Sequence, residues 1–403
     1  MRSSPPKAAR MNVRTFVLFT KRYLPARGGI EIIVRQTAQL LKPFGRPVIV
    51  TLLFDDRHRT TFSGMYPLAP AGAPYRDDDG TEVIPLSPTP LQRFLMLPMV
   101  ALDVKRIANS GTGALRPVFY RFLRMALRRK FSRLCSGAAA VHAFEGSYYG
   151  CLARETAAAA GMPFIISPFV HPGSWGDDVM NVGLYRRADM VLTLSEYEKE
   201  WFRSIGVADN RMIATGNYPL PRPPLSLKET FGISGRIVLF LGRCETYKGY
   251  RLLLDAWDAV RPEAPDAWVV LMGPGFSRSV DRQRRVCTAG PVDSMPCDFD
   301  IFCMPSESET FGLVYVEAWA QGRPIVARSI PTVVELMHGE AAGLLIDRPD
   351  AAELARHLAT LLKDPQLCER MGACGRRIQQ EYYSRERFEE NCLKAYRAVQ
   401  AGL

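Results

Sequence analysis

The sequence predicts an α/β protein made of two Rossmann-like parallel-sheet domains. Three observations carry that expectation: two successive series of short apolar strands alternating with helices, a proline run between the series, and a length of 403 residues. Such a length suits two domains of about 150–200 residues each. The strands read as continuous apolar runs separated by helices, the pattern of a parallel sheet covered on both faces.

The first series opens with the strand VRTFVLFT, followed by a loop carrying Gly28 and Gly29. A helical stretch follows, with apolar residues at Ile30, Ile33, Val34, Leu41 and Phe44 and a closing Gly45. Pro47 to Phe54, Val83 to Leu86, Ala138 to Ala143, Phe164 to Ser167 and Met190 to Leu194 read as further buried strands. Tyr218 to Pro224 holds four prolines in seven residues, which neither a helix nor a central strand tolerates, so it reads as a stiff linker. The second series comprises strands at Ile237 to Leu241, Trp268 to Met272, Phe299 to Met304 and Pro324 to Ala327. Its helices lie around Leu252 to Val260, from about Gly312, and near Ala351 to Leu362, with a last helix over Arg385 to Val399. The expected boundaries are 1–217 for the first domain, 218–228 for the linker and 229–384 for the second domain. Residues 385–403 form a final helix packing back toward the first domain.

Apolar residues make up 47% of the chain, enough for two cores, and no apolar run reaches the ~18 residues needed to cross a bilayer. The opening MRSSPPKAAR reads as a flexible tail running into the first strand, not a signal peptide. Nine scattered cysteines with no Cys-x-x-Cys pair match neither a disulfide framework nor a zinc site, and five dispersed histidines add no ligand cluster. Reduced thiols and a cytoplasmic chain are expected. The net charge of +11 is concentrated: residues 91–135 carry ten basic side chains against the single acid Asp103, which is +9 of the total. Within that segment Phe119, Leu123, Leu127, Phe131 and Leu134 form one helical stripe flanked by Arg121, Arg124, Arg128 and Arg129. The pattern suits docking on an anionic membrane surface, with a core helix carrying a solvated charged face as the alternative. No nucleic-acid-binding module accompanies the charge.

Three segments fall at carboxyl ends of strands, where open parallel sheets bind ligands. In GRCETYKG, Arg243 and Lys248 lie five apart across a loop and can converge on one anionic group such as a diphosphate. Tyr247 and Gly249 stand where a Walker A loop needs glycine and Ser/Thr, which excludes that motif. A solvated turn with two surface cations is the structural alternative. In PSESETFGLVYVEAWAQGRP a helix starts near Phe311–Gly312, with Glu309 before it and Glu317 about two turns inside. Helix-start N–H groups favour anionic or hydroxyl-rich ligands, and two carboxylates at that separation can accept hydrogen bonds from two sugars. A cap and a solvated helix face is the plainer reading. The third segment is the Gly28–Gly29 loop, and Gly273-Pro274-Gly275 is a further turn at a strand end. Asp298-Phe299-Asp300 precedes a strand and leads into a core run, and the Asp77–Asp79 cluster reads as a solvated loop. No metal site is assigned.

Taken together, GGIE near the start, GRCETYKG, GPG and PSESETFG with Glu309-x7-Glu317 resemble the large retaining glycosyltransferase family four, of GT-B fold, over nearly the whole chain. The resemblance implies two Rossmann-like domains facing across a cleft and transfer of a sugar from a nucleotide diphosphate donor to an acceptor hydroxyl. It implies retention; no Asp-x-Asp motif follows a strand in the donor half, so no metal cofactor is expected, and the membrane leaning of residues 91–135 suggests a lipid-linked or cell-envelope glycan acceptor at the inner face of the membrane. By the same resemblance Arg243 and Lys248 bind the diphosphate. Glu309 with the amides around Thr310, Phe311, Gly312 and Leu313 holds the transferred sugar, and Glu317 the ribose. Gly29 approaches the phosphates from the opposite domain, and His171 in SPFVHPGSW stands against the donor sugar, where a lone loop histidine is otherwise structural. One departure concerns residues 276–298. They are shorter than the family's corresponding stretch, lack room for its base-contacting helix, and are made polar and basic by Ser277, Arg278, Asp281, Arg282, Arg284 and Arg285. Two alternatives stay open: a sugar-nucleotide epimerase or hydrolase on the same fold, and a catalytically silent membrane-bound partner subunit.

Overall fold

The computed structural model describes residues 14–24, 28–53, 72–92, 94–95, 116–173 and 176–401. By packing, the chain divides into two units. The first contains Met1–Leu192, Ile205–Ile213 and Cys392–Leu403; the second contains Thr193–Ser204 and Ala214–Asn391.

Unit one is built on an eight-stranded sheet of order β3-β4-β2-β1-β5-β6-β7-β8. Its strands are β1 (Thr15–Arg22), β2 (Arg46–Leu53), β3 (Tyr75–Arg76), β4 (Glu82–Pro85), β5 (Ala138–Phe144), β6 (Phe164–Ser167), β7 (Met190–Thr193) and β8 (Met212–Ala214). Helices α1 (Gly29–Leu41), α2 (Arg116–Cys135), α3 (Tyr148–Ala159) and α4 (Val179–Tyr185) connect them, and α5 (Glu196–Ser204) follows β7. β1 pairs in parallel with β2 and β5, and its Phe16 to Phe19 run is fully buried, as the apolar sequence requires.

Thr193–Ser204, placed in the first domain by sequence, packs with unit two. There Glu335 accepts the backbone N–H groups of Glu196 and Tyr197 at 2.8 and 2.7 Å, satisfying donors at the start of α5. The second sheet has seven strands in the order β12-β13-β11-β10-β15-β16-β17. They are β10 (Ile237–Leu241), β11 (Trp268–Met272), β12 (Ser279–Asp281), β13 (Val286–Ala289), β15 (Ile301–Met304), β16 (Ile325–Arg328) and β17 (Gly343–Ile346). A separate two-stranded piece pairs β9 (Pro224–Leu225) with β14 (Met295–Pro296). The helices are α6 (Leu227–Phe231), α7 (Tyr250–Val260), α8 (Leu313–Ala320), α9 (Pro331–Leu336), α10 (Ala351–Lys363), α11 (Pro365–Tyr382) and α12 (Arg385–Ala401).

The structure corrects several expectations. The proline segment is part of unit two: Met295 N–H donates to Pro223 at 2.8 Å, and Asp298 caps α6 through Leu227 N at 2.7 Å and Lys228 N at 3.0 Å. Residues 276–298 hold two strands of the sheet, β12 and β13, the latter parallel to β11. The chain returns from β11 to β13 through an extended edge strand instead of a helix. Asp77 is no solvated carboxylate: it is buried, accepts the Tyr23 hydroxyl at 2.7 Å and Thr81 N at 2.8 Å, while Asp79 pairs with Arg35.

The stripe on α2 points inward. Leu123, Leu127 and Phe131 are buried, and the Phe131 ring packs on Phe19 with centroids 5.2 Å apart. Those side chains are spent on the core and are not offered to lipid. What stays outside is Arg121, Arg124, Arg128, Arg129 and Arg133, with Arg124 paired to Glu155 at 2.8 Å. Arg93, Asp103, Lys105 and Arg106 lie outside the described residues, as do the side chains of Arg116 and Phe119. Among the described residues no helix is long and apolar enough to cross a membrane. None of the nine cysteines is in a disulfide, and five of them are buried.

In unit one the second half of α12 docks through Tyr396, whose hydroxyl lies 2.8 Å from Nδ1 of the buried His142; Nε2 is 2.9 Å from the Ser167 hydroxyl. Burial pulls His142 from 6.5 down to about 3, so the fold holds it neutral. A depressed histidine contributes stability that is present above pH 6.5 and is lost as pH falls toward 3. We expect His142→Gln, which can bond both neighbours, to flatten the pH dependence of stability between pH 4.5 and 6.5 by up to about 1.4 kcal/mol per pH unit. Denaturant titrations of the two proteins across that window measure it, and an unchanged slope would refute the assignment.

Candidate functional site

β11, β10 and β15 stand side by side, so the loops after them leave the same edge of a parallel sheet. From β10 the chain moves outward through β11 to β13, then returns to β15 on the other side of β10. That reversal is the switch point at which open α/β sheets take ligands.

Backbone bonds lace the three loops together. Gly242 N donates to Met272 O at 2.9 Å, Cys244 N to Pro274 O at 2.8 Å, and Glu307 N to Tyr247 O at 2.8 Å. Such closeness sets a limit on side chains at two positions. Gly249 (φ +80°) and Gly273 (φ +139°) adopt backbone angles that L side chains rarely reach, and a Cβ would collide with Pro305 O or Gly242 O respectively. Gly275 abuts Cys244, and Gly312 is the N-cap of α8.

Lys248 closes a 3-10 turn, Thr246–Lys248, and its ammonium donates to both oxygens of Glu309 at 2.7 and 2.8 Å. The two side chains are only 13% and 9% exposed. The pair spans the switch point, joining the loop after β10 to the loop after β15. Behind it, Thr332 of α9 donates its hydroxyl to Glu309 O at 2.9 Å. Buried Phe311 packs edge-on to Tyr383 at 5.5 Å, and the Tyr383 hydroxyl lies 2.9 Å from Nε2 of His338. Arg243 departs from the expected convergence with Lys248. Its guanidinium is 55% exposed, donates to the Tyr247 hydroxyl at 3.2 Å and lies 3.4 Å from Glu245.

The helix begins later than the sequence suggested, at Leu313, so Glu317 lies one turn inside α8, beyond Thr310 to Gly312. Its carboxylate is 6% exposed, and the guanidinium of Arg222 donates to Oε1 at 2.6 Å. Burial raises the Glu317 pKa against the lowering effect of Arg222.

In unit one Gly28 is the N-cap of α1 and Gly29 its first residue, where a Cβ would meet nothing within 4 Å. His171 stands beyond β6, half-buried. The strand order of this sheet reverses between β1 and β5, and there Lys21 pairs with Glu145 at 3.1 Å. Glu145 has φ +80°, an uncommon conformation for a side-chain-bearing residue. Lys21, Glu145 and Arg222 were missed by sequence reasoning. A charge directly after an apolar strand is a usable signal for the first two; an arginine among prolines carries none. Among the described residues no group of three or more His, Cys, Asp or Glu is placed to hold a metal ion.

Two doubly wound sheets, one with a buried cation–carboxylate pair at its switch point, define a two-domain α/β protein of the GT-B kind. The model of glycosyl transferases group 1 matches residues 235–364, and that of the glycosyl transferase 4-like domain matches residues 28–217. The chain belongs to the group 1, family-four glycosyltransferases. An uncharacterized glycosyltransferase of Haemophilus influenzae is 27% identical over 50% of this chain and 60% of its own length. A phosphatidyl-myo-inositol mannosyltransferase of Mycobacterium leprae is 33% identical over 37% of this chain and 43% of its own. The chain thus spans about half the length of the curated relatives it matches. The solved structure of Anabaena Alr3699/HepE in complex with UDP and glucose covers 95% of this chain and 99% of its own, with a TM-score of 0.68 at 16% identity.

Gly249→Ala should cost about 1–3 kcal/mol of stability through backbone strain. Gly29→Ala, in open space, should stay within about 0.5 kcal/mol of wild type. Chemical denaturation of both variants gives the comparison.

Proposed function

We propose that this chain transfers a sugar from a nucleotide diphosphate donor to an acceptor hydroxyl, with retention and without a metal. The observation that carries this reading is the Lys248–Glu309 pair at the switch point of the second sheet. Departure of the nucleoside diphosphate builds negative charge on the β-phosphate. Lys248, fixed by Glu309, and Arg243, free to swing from an exposed position, supply cations that stabilise it without a metal. Glu309 and the amides of Thr310 to Leu313 accept and donate to the transferred sugar, and Glu317 accepts from the ribose. Gly28, Gly29 and His171 are assigned to the same donor: Gly29, where a Cβ would meet nothing within 4 Å, to its phosphates, and His171 to its sugar.

The names of the relatives support a sugar donor, and the inositol lipid named in the M. leprae relative favours a lipid-linked or envelope glycan acceptor. UDP in the HepE complex makes a uridine donor one candidate. Replacing either cation removes charge stabilisation, so Arg243→Ala and Lys248→Ala should each lower kcat by about 10²–10³. Initial rates on folded variants with the active donor measure it, and near-normal turnover in both would end the assignment. Donor cleavage assayed with and without acceptor separates the alternatives: transfer requires acceptor, hydrolysis does not, and a silent subunit shows neither.

A second proposal concerns the outer face of α2. Arg121, Arg128 and Arg129 with the 72% exposed Met125 form a cationic face suited to anionic headgroups. Charge reversal at Arg121 and Arg128 should abolish sedimentation with phosphatidylserine vesicles, and retained binding would argue against docking there.

A further inference from the structure

Glu317 is a carboxylate in the interior of a helix, and a carboxylate removed from water is held in its charged form only by a partner. That partner arrives from the proline run. Pro221, Pro223 and Pro224 stiffen the segment on either side of Arg222. Pairing of β9 with β14 pins it, through Met295 N to Pro223 O at 2.8 Å and Cys297 N to Leu225 O at 3.1 Å. The guanidinium is thereby delivered to Glu317 Oε1 at 2.6 Å, with Met295 Sδ at 3.0 Å from the same nitrogen. A carboxylate has about four lone-pair sites, so one donated bond leaves capacity for a ligand.

We propose that Arg222 is a positioning residue for donor binding: it fixes the Glu317 carboxylate so that the carboxylate accepts hydrogen bonds from the ribose hydroxyls of a nucleoside diphosphate. The inference rests on Glu317 being the ribose acceptor. It makes the segment between the two sheets a working part of the nucleotide site and not a tether alone.

The test compares binding of UDP and GDP to the full chain by calorimetry, then of the 2′-deoxy analogue of whichever binds. Wild type should prefer the ribose form. Glu317→Gln should reduce that preference, and Arg222→Met should reduce it by a similar factor, about ten- to hundredfold for a lost charged hydrogen bond. Arg222→Lys should restore part of it. Arg222→Met that weakens both forms equally, or neither, overturns the proposal. Adding Arg222→Met to Glu317→Gln removes both charges, so a fold loss caused by an unpaired glutamate is avoided; this double variant should match Glu317→Gln, and a further drop in preference overturns the proposal. If Glu317→Gln itself leaves the preference intact, the ribose assignment of Glu317 falls, and if neither diphosphate binds wild type, the donor-site reading falls.

Discussion

The second unit is organised around one ion pair, the ammonium of Lys248 resting on both oxygens of Glu309. Neither group can be left alone at its depth, because an unpaired charge withdrawn from water costs several kcal/mol. The pairing therefore commits the loop after β10 and the loop after β15 to each other. They come within reach because β10 and β15 are parallel neighbours in the sheet, at the point where its strand order reverses. Close approach of the backbones, allowed by glycine at 249 and 273, is the steric side of the same requirement.

The proposed donor role draws on the same arrangement. The cation and carboxylate neutralise each other at the switch point, so on the proposed reading a diphosphate entering beside them would meet an ammonium already oriented, while the carboxylate would keep accepting capacity for hydroxyls. Arg243 stands outside that pair, exposed and lightly held by Tyr247 and Glu245, which lets it reach a ligand at little desolvation cost. Glu317 completes the set from inside α8, with its charge answered by Arg222.

Charge counted along the chain was a poor guide to where charge acts. The segment with the highest density of arginine folds as α2 with its apolar stripe in the core, so its amphipathic pattern was the ordinary one of a helix on a sheet. The polar stretch 276–298, read as too short for a base-contacting helix, holds two strands of the sheet instead. Its arginines bond neighbouring carbonyls and carboxylates: Arg285 reaches Ala267 O and Arg261 O, Arg284 pairs with Asp258, and Val286 to Ala289 after them joins the sheet. β12 at the sheet edge is exposed and needs few apolar residues, and the buried β13 beside it is only four residues long, so no apolar run announced them.

By itself, the sequence determined the α/β class, the principal strands and the family, and it singled out Arg243, Lys248, Glu309 and Glu317 as candidates. Each of those follows from local patterning or short-range spacing, which a linear chain displays. Tertiary structure alone decided that Lys248 closes on Glu309, that Arg243 does not join them, and that Arg222 answers Glu317 from 95 residues away. It also decided that His142 is neutral beneath Tyr396 and that the α2 stripe faces inward. Partnership between distant charges depends on strand order and burial, and neither quantity is written in the spacing of residues along the chain.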